Sequence, residues 1–132
     1  MRIAILASTF TFLVLDFAMI GLVLRPLFQE QVGHLMTTEF RPWPAAAFYL
    51  GYPAAVIWLV VRPAVRAGSL RDAVLNGAVL GAAAYGTFEF TNMALLADWQ
   101  PVLVYSDVVW GAVLTAATSG AGVAAGRARS GI

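Results

Sequence analysis

The sequence predicts an all-α integral membrane protein: a bundle of four transmembrane helices with a short interfacial segment after the first. Three observations carry that prediction. Of 132 residues, 61% are hydrophobic and 11% charged, whereas a soluble domain is nearer half apolar and a quarter charged. Four apolar stretches, about 3–24, 45–61, 73–96 and 102–126, are long enough to span the hydrocarbon core. Every cationic side chain is Arg, and the Arg residues stand at the ends of those stretches. The whole chain, 1–132, reads as a single transmembrane domain.

The same totals exclude several function classes. A net charge of +1, with no basic face beyond the membrane-flanking Arg, argues against a nucleic-acid partner. The absence of Cys removes disulfides and thiolate metal sites.

The first span, about 3–24, gives roughly 33 Å of helix at 1.5 Å per residue. It starts like a secretory signal. However, Asp16 interrupts it, no Ala-x-Ala site follows, and Arg25-Pro26 ends it, so it reads as a retained span. Phe28, Val32, Leu35 and Met36 then recur at helical spacing between polar residues, as in an interfacial segment. The loop 37–44 carries Trp43, an interface anchor. The second span, about 45–61, holds Tyr49, Tyr52 and a bend at Pro53, and Arg62-Pro63 closes it. A polar connection, 62–72, follows, with Gly68-Ser69 as its turn and Ser69 and Asp72 as a capping pair. The third span is about 73–96, the loop 97–101 carries Asp98 and Trp99, and the fourth span is about 102–126 with a short mobile tail.

Four spans place both termini and the 62–72 connection on one side. Arg2, Arg62, Arg66, Arg71, Arg127 and Arg129 lie there, against Arg25 and Arg41 opposite. The bias makes both termini cytoplasmic. Gly77-x-x-x-Gly81 in the third span and Gly111, Thr115, Ser119, Gly122 and Gly126 in the fourth predict that these two helices pack closely.

Three carboxylates interrupt the apolar spans. Counting depth from the span ends puts Asp16, Glu89 and Asp107 in the outer half of the bilayer, within one or two helical turns of each other. A charge there costs roughly 2.5–3.5 kcal/mol on insertion scales, so such residues face protein or water and take partners. Glu89 shares a face with Tyr85, Gly86, Asn92 and Met93; Asp107 shares one with Trp110, Gly111 and Leu114. Tyr85, Asn92, Thr91, Trp110, Tyr49 and Tyr52 are the available donors. Asp16, Glu89, Asn92, Asp107, Trp110 and Tyr85 are therefore the candidate ligand-binding residues, and no catalytic set is predicted. His34 near the mouth of the cluster matches no metal motif in its spacing, and neither a metal nor a cofactor is predicted.

Two readings compete for the acids. As packing glue they hydrogen-bond across helices, although Ser and Asn would do this at lower cost. As a pocket open to the outer side, they bind a proton, a cation, a small ligand or a lipid headgroup. The rival roles are an accessory subunit of a larger membrane complex and a small dimeric transporter. The expected partners are membrane lipid, a small ligand or cation, and a membrane protein or a second copy of the chain.

Several stretches match one family pattern. They are Leu15-Asp16 with Gly21 and Arg25-Pro26, Gly33-His34-Leu35, Phe48-Tyr49-Leu50 and Arg62-Pro63-Ala64, then Tyr85 through Asn92 and Asp107 through Gly111. On these the chain resembles the small bacterial four-helix membrane proteins grouped as domain of unknown function 2177. It departs at Met19, where the family tends to Trp, and at Glu89, where it tends to Asp. The resemblance implies a multi-pass membrane protein without an assigned activity. The family's frequent placement beside lipid-modifying genes implies a lipid-related role.

Overall fold

The computed structural model describes residues 1–130, the side chains of 129 and 130 excepted, and every regular element among them is helical. Four helices follow one another: α1 (Arg2–Leu35), α2 (Pro42–Ala67), α3 (Leu70–Leu95) and α4 (Pro101–Ser130). By length and composition, α1, α2 and α4 are apolar enough to cross a membrane. The α3 helix has the length, but Asn76, Glu89 and Asn92 lower its hydropathy. The expectation of four spans thus reduces to three on composition alone.

At Arg25-Pro26 the helix runs on into the interfacial segment, which is the continuation of α1, whereas the expected closure at Arg62-Pro63 does not occur and α2 runs on past Pro63 to Ala67. The cause lies in the turn before each pair. Proline lacks an N–H and its ring collides with the carbonyl four residues back, at Leu22 for Pro26 and Leu59 for Pro63. Both carbonyls sit in π-helical turns, Ile20–Leu24 and Ile57–Val61. There the Arg25 N–H bonds the Ile20 carbonyl and the Arg62 N–H bonds the Ile57 carbonyl, one residue further back than in an α-helix. The wider turn makes room for the ring. The two stretches share a pattern, Ile-x-Leu-Val-x-Arg-Pro, at 20–26 and 57–63.

The α2–α3 connection is as tight as the sequence suggests. Gly68 closes α2 in the left-handed conformation, at φ 65°, which glycine adopts without a Cβ penalty. The Ser69 hydroxyl then caps α3 by accepting from the Asp72 N–H at 3.0 Å. At the other end the expected tail after 126 is part of α4, which stays helical to Ser130. The Arg129 side chain, counted above in the charge bias, lies outside the described residues.

The α4 helix is the hub and packs along both α3 and α1. Its seam with α3 is the predicted small-residue contact. A Cβ on Gly77 would lie 2.7 Å from the Thr115 carbonyl oxygen, and one on Gly81 would meet the Gly111 carbonyl. On the other side Gly122 receives Ser8 of α1. A cluster of Ala4, Val56, Val61, Ala64, Ala73 and Val123 fills the end of the bundle near the N-terminus and the α2–α3 turn. The first half of α2 stands further off: it reaches α1 and α3 mainly through aromatic rings, with Phe12 5.9 Å from Tyr49 and Tyr52 5.8 Å from Tyr85 between centroids. That looser half leaves an opening beside the acids.

Candidate functional site

Asp16, Glu89 and Asp107 come from α1, α3 and α4, and all three are buried, at 2%, 0% and 7% exposure. Each is held differently. Asp16 is fully engaged: Tyr49 Oη donates to its Oδ2 at 2.7 Å, and Trp110 Nε1 donates to its Oδ1 at 3.2 Å. These charge-assisted bonds tie α1 to α2 and α4 through one carboxylate.

Glu89 is engaged on one side only. Trp99 Nε1 donates to its Oε2 at 2.8 Å. Its Oε1 is buried without a hydrogen-bond donor. Asp107 lies within hydrogen-bonding reach of the Glu89 carboxyl and within charge range of Asp16. The site is thus a carboxyl pair, Glu89 with Asp107, beside a separately satisfied Asp16. No group of three His, Cys, Asp or Glu among the described residues is arranged to hold a metal ion.

The remaining sequence candidates fall at different places. Trp110 sits between Asp16 and α4, as its hydrogen bond shows. Tyr85 is half-buried, packs against Gly111 and meets Tyr52 edge-on at 5.8 Å. Asn92 is half-buried one turn beyond Glu89; its carbonyl accepts from the Leu96 N–H at 2.8 Å, and the bond that reaches Glu89 comes from Trp99 instead. His34 pairs with Asp98 at 3.1 Å, with both side chains exposed.

Trp99 is the residue that sequence reasoning missed. It lies in a loop, yet Asp98 adopts φ 66°, a left-handed geometry that Asp tolerates better than most residues. That reversal turns the indole back over the end of α3. Its ring packs edge-on against Phe28 at 5.8 Å and Phe88 at 6.1 Å. A Trp placed ten residues after a buried acid, just past a helix end, is the signal that was present.

A cavity of about 410 Å³ opens beside the pair, lined by Phe48, Tyr52, Ala84, Tyr85, Phe88 and Asp107. Asp107 is the one acid in that lining and also the one that touches Glu89.

The family model described as "Predicted membrane protein (DUF2177)" matches residues 1–124, which include every element of this site. The chain belongs to that family. No curated protein and no solved structure matches it. As a member of DUF2177 the chain is a membrane protein with several apolar helices, in agreement with the resemblance read from its motifs.

Proposed function

We propose that this DUF2177 protein is a multi-pass protein of the bacterial inner membrane with both termini cytoplasmic, and that its outer half encloses an acidic ligand-binding centre. All four helices cross in this reading. At 26 residues, α3 reaches roughly 39 Å at 1.5 Å per residue. Its costliest side chain, Glu89, is turned fully into the bundle rather than toward lipid. The Arg bias toward the termini and the α2–α3 turn supports the orientation.

The observation that carries the functional reading is the double role of Asp107, which touches Glu89 on one side and lines the cavity on the other. Two carboxylates in contact and away from water repel strongly, and a cation beside them relieves that repulsion. Glue would leave no oxygen idle, because an unmet buried acceptor costs about 1–3 kcal/mol. Here Glu89 Oε1 lacks a donor among the described residues. The centre therefore suits a ligand that enters through the cavity and meets the acidic pair. No nucleophile with a partner base stands beside it among the described residues, which favours binding over catalysis.

Dicyclohexylcarbodiimide, a lipid-soluble reagent for protonated carboxyls, tests this in nanodiscs. Labelling at Asp107 or Glu89, with Asp16 spared, supports the reading. Failure to label either acid in folded protein overturns it.

A further inference from the structure

The geometry points to an organic ammonium ion, held in an aromatic cage with Asp107 as its counter-ion, as the ligand of the 410 Å³ cavity. This rests on the ligand-binding reading above and narrows it to one chemical class.

Four of the six lining residues are aromatic: Phe48 and Tyr52 from α2, Tyr85 and Phe88 from α3. Phe48 and Tyr52 stack at 5.5 Å with 10° between their planes, and Tyr85 stands edge-on to Tyr52. The Tyr52 hydroxyl is bonded to Thr115 Oγ1 at 2.7 Å, so Tyr52 offers the cavity its ring rather than a free hydroxyl. The one charged group in the lining is Asp107, more than nine-tenths buried, whose hydrogen-bonding neighbour is another acid, Glu89.

Each alternative ligand meets a specific obstacle. An anion faces the Glu89–Asp107 pair and Asp16 behind it. A hydrated inorganic cation loses its water to a wall of rings that supplies a single carboxylate, too few oxygens to replace the shell. A neutral apolar molecule brings no counter-charge to the desolvated Glu89–Asp107 pair. A methylated ammonium satisfies all of these constraints: its methyl groups fill the apolar walls, its charge is drawn to the ring faces, and Asp107 neutralises it. Phe88, 51% exposed, and Phe48, 38% exposed, flank the cavity on the lateral surface of the bundle. An attached chain thus leaves between α2 and α3 into lipid.

The ammonium has two possible sources, the headgroup of a choline-type lipid or a free lipophilic cation. Decyltrimethylammonium serves as the probe, with the full chain purified in a neutral maltoside detergent and melting followed by circular dichroism. The expected result is a saturable rise in melting temperature. Decyl sulfate and the neutral 3,3-dimethylbutyl analogue of the probe produce no such rise. Asp107→Asn weakens binding about tenfold or more, and Phe88→Leu about threefold or more. Arg66→Gln, near the α2–α3 turn and outside the cavity lining, leaves binding unchanged. Should Asp107→Asn fail to fold, Phe88→Leu and protection of Asp107 from the carbodiimide by the probe decide the matter. Equal effects of the cationic and neutral analogues, or no saturable shift, overturn the inference.

A silent probe with carbodiimide labelling intact sinks the ammonium assignment alone; loss of labelling sinks the pocket itself. In nanodiscs, competition that grows with the phosphatidylcholine fraction over phosphatidylglycerol assigns the site to a lipid headgroup. Probe binding indifferent to that fraction assigns it to a free cation.

Discussion

Replacing Trp99 by Phe isolates the one N–H donor bonded to the Glu89 carboxyl among the described residues. The substitution keeps a ring for the contacts with Phe28 and Phe88 and deletes the indole N–H 2.8 Å from Oε2. Two magnitudes compete. Hydrogen bonds to charged groups contribute about 1.5–3 kcal/mol, whereas side-chain bonds in membrane proteins average about 0.6 and reach about 1.7 kcal/mol. The lower average reflects partners that find substitutes. Glu89 has no spare N–H donor: it is 0% exposed, its other oxygen already lacks a donor, and its hydrogen-bonding neighbour Asp107 is itself an acid. The upper part of the membrane range applies, so Trp99→Phe destabilises by about 1.5 kcal/mol, roughly tenfold in the unfolding equilibrium. In a Glu89→Met background no carboxylate is left to satisfy, and the same change costs under about 0.5 kcal/mol. Reversible unfolding of the four variants in mixed detergent gives the coupling energy directly. An equal loss in both backgrounds refutes the reasoning, since Trp99 would then act through its ring alone.

The other predictions concern the scaffold. Gly81→Ala places a methyl on the Gly111 carbonyl, and Gly77→Ala meets the Thr115 carbonyl oxygen at 2.7 Å. Both lower the melting temperature, Gly81→Ala more, within the ~1–3 kcal/mol typical of overpacking. Gly51→Ala, with nothing within 4 Å of the added carbon, stabilises α2 by about 0.5–1 kcal/mol in the same melts. Asp98→Asn is tolerated at φ 66°, whereas Asp98→Val strains the loop by about 1–3 kcal/mol and releases Trp99, visible as a red shift in tryptophan emission.

The nearness of the acids was legible because an α-helix rises by a constant amount per residue: counting from Arg-flanked ends sets Asp16, Glu89 and Asp107 within one or two turns of each other, and all three are buried, with Asp107 beside Glu89 and within charge range of Asp16. The α3–α4 seam was legible for a similar reason: Gly77 and Gly81 fall on one face of α3, and Gly111 and Thr115, which they meet, on one face of α4. Tyr49 and Trp110 stood among the expected donors and are the two that Asp16 receives. Partner choice was less accessible. Asn92 shares a face with Glu89, yet the donor arrives from Trp99 through a backbone reversal that no periodicity encodes. The helix end expected at Arg62-Pro63 was misread because proline usually stops a helix. The π turns that let it continue show only as the twice-written Ile-x-Leu-Val-x-Arg-Pro, on helices of opposite direction. The cavity depends on how far the first half of α2 stands from α3, a tertiary distance without a local signature.

The chain contains no Cys, so paired cysteines report proximity without background. With Cys at positions 89 and 107, a bis-thiosulfonate of short spacer tests whether α3 and α4 bring these two side chains together inside the bundle. Efficient cross-linking of that pair in membranes, with none between position 107 and position 93, where Met93 is exposed, is the predicted outcome. Cross-linking from position 93 instead, or none from 89 in folded protein, contradicts the buried carboxyl pair on which the account depends.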